Sequence, residues 1–107
     1  MANIMNWKWS GGFAPTEFAT NVSMSADYAL TDTEKDLFVA FACSAASKAL
    51  TLGLEEGQFM IVANIGASNA VTVKAITGDT GTSVAAGKVA LVIGSATANA
   101  SKIYVLN

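Results

Sequence analysis

The sequence predicts an all-β domain, a small β-sandwich or barrel of about seven or eight short strands with an irregular N-terminal arm. Three observations carry this. Short apolar runs recur from Leu37 to Leu106, turns containing glycine, serine or asparagine separate them, and several runs alternate with the period of two expected of strands. A chain of 107 residues is long enough for one core only, so residues 20–107 are assigned to a single β domain and residues 1–19 to the arm.

The arm interleaves Trp7, Trp9, Phe13 and Phe18 with Ser10-Gly11-Gly12 and Pro15, and it sustains neither strand nor helix periodicity. Two roles fit these rings. They can fold back onto the chain's own core, or they can anchor on a neighbouring subunit, as aromatic side chains commonly do at interfaces. On the second role Trp7, Trp9, Phe13 and Phe18 are the candidate partner-binding residues.

Strand character begins weakly at Val22–Leu30 and strongly at Leu37–Cys43, with the polar stretch Asp32–Asp36 between them. Lys48–Leu54 places Leu50, Leu52 and Leu54 on one face, a strand pattern preferred over helix because of Gly53 and the alternation. Glu55-Glu56-Gly57 forms a turn. Phe59–Ile65, the connection Gly66–Asn69 and Val71–Ala75 have the signature of a hairpin. Further turns at Thr77–Gly81 and Ala85–Gly87 lead to the alternating strand Lys88–Ile93, and the loop Gly94–Ser101 precedes a last strand, Lys102–Leu106. Gly57–Val62 and Gly87–Val92 resemble one another, and ordinary β grammar accounts for the likeness as well as duplication would.

Composition narrows the function. Hydrophobic residues make up 52% of the chain and charged residues 13%, about half the usual charged share. A small domain so poor in charge is expected to expose apolar patches, and hence to be an oligomer or part of a larger assembly. With a net charge of −2, no arginine and scattered lysines, no basic stripe is available for nucleic acid. The longest apolar run is far short of a bilayer span, so no membrane segment is expected. The opening residues lack the pattern of a signal peptide, and the single cysteine suits a reducing cytoplasm.

Each candidate for chemistry has a plainer structural reading. Asp79-Thr80-Gly81 matches the triplet of aspartic proteases, but too little chain follows it for that fold, and a turn in which Asp79 bonds its own backbone is expected. Asp32, Glu34 and Asp36 alternate like calcium ligands without the glycine and later glutamate of an EF-hand, so a solvated connection is expected. Glu55 and Glu56 would point apart. Cys43 ends an apolar run in a chain without histidine, which suits core packing rather than nucleophilic chemistry. Trp7 and Trp9 would share a face on an extended arm, an arrangement suited to sugar stacking and to packing alike. No catalytic residue, metal or cofactor is expected.

Val62–Val73, Thr82–Gly94 and the closing Lys102-Ile-Tyr-Val-Leu106 resemble small structural proteins of tailed bacteriophages, most of all the head decoration, or cement, proteins. The likeness covers roughly residues 57–107 and consists of β phrases also found in fibre and neck modules. It implies a non-enzymatic, β-rich virion subunit, often a homotrimer, that binds the major capsid protein on the outer shell and clamps its neighbours. The alternative it leaves open is a tail, neck or fibre module that binds host glycans.

Overall fold

Alternation of inward and outward residues builds the molecule. In the computed structural model, which describes residues 20–106, nine short strands form two sheets stacked on one apolar core. The strands are β1 (Thr20–Met24), β2 (Tyr28–Ala29), β3 (Phe38–Cys43), β4 (Lys48–Thr51), β5 (Phe59–Asn64), β6 (Val71–Lys74), β7 (Thr82–Val84), β8 (Val89–Ile93) and β9 (Lys102–Val105). One sheet has the order β1-β3-β5-β8-β9 and the other β2-β4-β6-β7. The all-β expectation holds, as a two-sheet sandwich rather than a closed barrel.

For its first six strands the chain changes sheet at every step. β1, β3 and β5 pair parallel in the five-stranded sheet, and β2, β4 and β6 pair parallel in the four-stranded one. Parallel neighbours require a long crossover. Here each crossover is the strand laid in the opposite sheet, so the chain winds like a short coil. Thr20, Val39 and Val62 therefore stand in one row across the first sheet, and Tyr28, Leu50 and Val73 in one row across the second. β7 then pairs antiparallel with β6, and the chain returns to lay β8 on β5 and β9 on β8.

This winding overturns two sequence expectations. Phe59–Ile65 and Val71–Ala75 do not form a hairpin, because β5 and β6 belong to different sheets. The Ile65 amide continues the ladder by donating to the Phe41 carbonyl at 2.8 Å, and the chain then arches across the core edge. Val22–Leu30 is likewise not one strand. Its two ends, β1 and β2, lie in different sheets with a corner at residues 25–27, which raises the strand total above the expected number.

The inward rows are tightly enclosed. Phe41, Leu50, Leu52, Met60, Val62, Val71, Val73, Val84 and Val92 have no exposed surface, and the predicted Leu50, Leu52 and Leu54 face is entirely buried. Side chains of this size contribute about 1.5–3 kcal/mol each when fully buried. The two similar phrases meet as neighbours, since Gly57–Val62 runs into β5 and Gly87–Val92 into β8. The pair is closed at one end by the Gly57 amide on the Gly94 carbonyl, 3.0 Å, and at the other by the Gly87 amide on the Asn64 carbonyl, 2.7 Å. Beyond them the paths diverge, one arching to the other sheet and one returning alongside as β9. That divergence favours shared strand grammar over duplication.

Candidate interaction surface

The two sheets present opposite chemistries outward. The outward positions of β3, β5 and β8 are Phe38, Ala40, Ala42, Phe59, Ile61, Ala63, Val89, Leu91 and Ile93, without one polar side chain. On the four-stranded sheet the outward row is Ala29, Ala49, Thr51, Thr72, Lys74 and Ser83. Registers place Ala40, Ala63 and Val89 side by side, and Phe38, Ile61 and Leu91 likewise. Most of these apolar residues are half-buried, and Ile93 is exposed.

Exposure of large apolar groups rises sharply toward β9. Ile93 at 37%, Tyr104 at 51%, Val105 at 42% and Leu106 at 56% account for the exposed large hydrophobics of the described residues, together with Ile65 at 61%. β9 is a terminal strand of its sheet and carries one charge, Lys102, at its start. Sheet edges are usually blunted by charge, proline or brevity. The terminal strands of the other sheet follow that rule, since β2 has two residues and β7 three, with Thr82 and Ser83 on the latter. β9 does not.

The residues singled out for chemistry are engaged separately. Asp79 is buried and bonds the backbone of its own turn, as expected, and it also takes a partner distant in sequence. Its carboxylate accepts from the Ile76 amide at 3.2 Å and from the Asn99 amide at 2.6 Å, while Asn99 Oδ1 accepts from the Thr80 amide at 2.7 Å. The loop between β8 and β9 is thereby fastened to the β6–β7 turn, over a shallow hollow of about 170 Å³ that includes Ser101 and Ile103 in its wall. Glu56 fastens the same loop elsewhere, accepting from the Ala96 amide at 2.9 Å. Glu55 is exposed at the turn, where its own amide donates to Gln58 Oε1 at 2.9 Å.

The three alternating acids turn to different partners. Asp32 pairs with Lys35 at 3.2 Å, Asp36 accepts from the Thr20 hydroxyl, and Glu34 accepts from the Tyr28 hydroxyl at 2.7–2.8 Å and the Thr31 amide at 2.8 Å. The bond from the Thr31 amide, followed by that from Tyr28, holds the Glu34 carboxyl below its ordinary range; the same carboxylate raises the Tyr28 phenol. Asp36 departs from the expected solvated connection, since it is buried beneath the β1 edge. Among the described residues no cluster of histidine, cysteine or acidic side chains is arranged to hold a metal. Cys43 is buried in the core, as expected.

One polar residue escaped the sequence reading. Asn64 is buried in the same row as Phe41 and Val22. Its Nδ2 donates to the carbonyls of Asn69 and Val84, both at 2.9 Å, and its Oδ1 accepts from the Gly66 amide at 3.0 Å. Asn69 in turn donates to the Cys43 carbonyl at 2.9 Å. An amide at an inward position of an otherwise apolar run was the available signal, and it marks the arch that joins the sheets.

The candidate partner-binding residues Trp7, Trp9, Phe13 and Phe18, and residues 1–19 to which they belong, lie outside the described residues. No protein-family model matches the chain, and no curated protein and no solved structure matches it either.

Proposed function

We propose that this chain is a non-enzymatic virion structural protein, a decoration subunit that binds the major capsid protein on the outer shell and stabilises it, acting as a homotrimer. The observation that carries this reading is the β9 border, where Ile93, Tyr104, Val105 and Leu106 expose their side chains beside a strand edge nearly without charge. A terminal strand of this kind is suited to association with other chains. The likeness of residues 57–107 to cement proteins supplies the particular assembly. In such a lattice, weak contacts repeated by each trimer act together through effective concentration.

Quantitative peptide mass spectrometry of purified particles tests the reading through the copy number of this chain relative to the major capsid subunit. Abundance comparable with the capsid subunit is the expected result. A small fraction of that abundance would move the chain to the tail or neck, and absence from particles would remove the virion assignment.

A further inference from the structure

We infer that the outward face of β3, β5 and β8 is the docking surface for residues 1–19 of the same chain, held across the sheet in cis. The inference is independent of the virion reading. It begins from the composition of the strands. Sheet strands covered on one side alternate apolar and polar residues, whereas strands buried on both sides read as continuous apolar runs. β3 reads Phe-Val-Ala-Phe-Ala-Cys, β5 Phe-Met-Ile-Val-Ala-Asn and β8 Val-Ala-Leu-Val-Ile. The four-stranded sheet covers their inner side, so the pattern calls for a second cover on the outer side.

Size and connection identify the cover. Three strands at about 4.8 Å spacing and five residues at about 3.3 Å rise give a face on the order of 250 Å². This is a projected footprint, and the accessible area of such a face is larger but still short of the about 800 Å² that each partner of a standard protein interface contributes, so a second rigid copy confined to it would be a weak associate. A short segment fits it better. Residues 1–19 lead directly into Thr20, the first residue of β1, which borders β3 in the same sheet. Reaching β8 from there crosses about 15 Å, whereas the segment extends to roughly 60 Å. It carries Trp7, Trp9, Phe13 and Phe18, aromatic rings chemically suited to an apolar bed of Ala40, Ala63, Ile61 and Leu91. Tethering holds it at an effective concentration in the millimolar range, well above that of a separate chain in dilute solution. Tyr104, Val105 and Leu106 of the β9 border lie beyond this bed and stay available to another protein.

Trp7 and Trp9 are the only tryptophans, so tryptophan emission of the full-length protein reports on residues 1–19 alone. The expected result is emission shifted to the blue of free tryptophan and acrylamide quenching reduced several-fold, both unchanged on dilution through dissociation of any oligomer. Ile61→Lys and Leu91→Gln, each at the centre of the bed, should restore solvent-like emission and quenching while far-UV dichroism stays that of the β fold. Ala49→Lys on the polar outer row of the other sheet should leave the signal unchanged. If Ile61→Lys does not fold, the milder Leu91→Gln decides. Solvent-like emission in the unmodified protein would overturn the inference, as would protection that disappears when copies dissociate or that survives both bed substitutions.

Discussion

Met60 and Val62 in one sheet and Leu50 and Val73 in the other meet across the core with no exposed surface, yet the residues between them diverge completely. Ile61 and Ala63 alternate with the first pair, whereas Thr51, Thr72 and Lys74 flank the second. Folding the sandwich requires only the inward rows. Outward residues are free to follow the surroundings, and here water suits one sheet while an apolar cover suits the other. The difference separates what holds the fold together from what the molecule meets outside itself.

The largest expected effect tests whether the inner faces are equivalent. Phe41→Ala in the five-stranded sheet should cost about 3–5 kcal/mol and Leu50→Ala in the four-stranded sheet about 2–5 kcal/mol, measured by urea unfolding. Both should lower the stability of the whole domain in one transition. If only one sheet responded by hydrogen exchange, the common core would be the wrong description.

Next in size is the joint between the sheets. Asn64→Ala leaves the Val84 and Asn69 carbonyls and the Gly66 amide without their present partner. Groups left this way in a buried site cost about 1–3 kcal/mol apiece, with relaxation and water entry reducing the sum, so a loss of roughly 2–4 kcal/mol is expected in the same unfolding assay. Amide exchange should accelerate on both sides of the arch, at β5 and β7 together. Acceleration confined to residues 65–70 would make Asn64 a loop residue rather than a tie between sheets.

The smallest effect lies at the β2 end of the four-stranded sheet. Folding lowers the Glu34 pKa, so its contribution is present in full above the ordinary value of 4.5 and fades as pH falls through the lower folded value. Stability should therefore show a slight acid-side decline that Glu34→Gln removes, read by urea midpoints across that range. On the alkaline side the raised Tyr28 phenol has the opposite sense: its contribution is complete below the ordinary value of 10.0 and is lost as pH climbs through the higher folded one. An unchanged acid profile in Glu34→Gln would leave these bonds without energetic weight.

Much of the fold was legible because strands announce themselves by phase. The inward positions of β4 and β6 follow directly from alternation, whereas the continuous apolar runs of β3, β5 and β8 mark a strand without choosing its inner face. Connectivity was not legible, because Gly66-Ala-Ser-Asn69 has the chemistry of a turn whether the chain reverses within a sheet or arches to the next. What decides is the tertiary environment of Asn64, whose amide bonds to the arch and to β7, a partner distant in sequence. The site shows the same division. The low charge of the whole chain pointed toward exposed apolar patches without placing them, only the sheet order reveals that β9 ends a sheet, and Asp79 was engaged by an asparagine that no local motif connects to it.

The alternating passage of the chain between sheets has a kinetic corollary. Each parallel pair, β1 with β3 or β4 with β6, closes only after an intervening strand has been placed on the far side of the core. Neither sheet is a contiguous stretch of sequence, so neither can form first as a local unit. Loop-closure entropy must be met repeatedly before apolar contacts compensate it, which places folding on the slow side for this size, on the order of milliseconds to seconds. A ribosome-bound chain would hold its early strands without partners until later ones emerge, and the domain should then appear all at once.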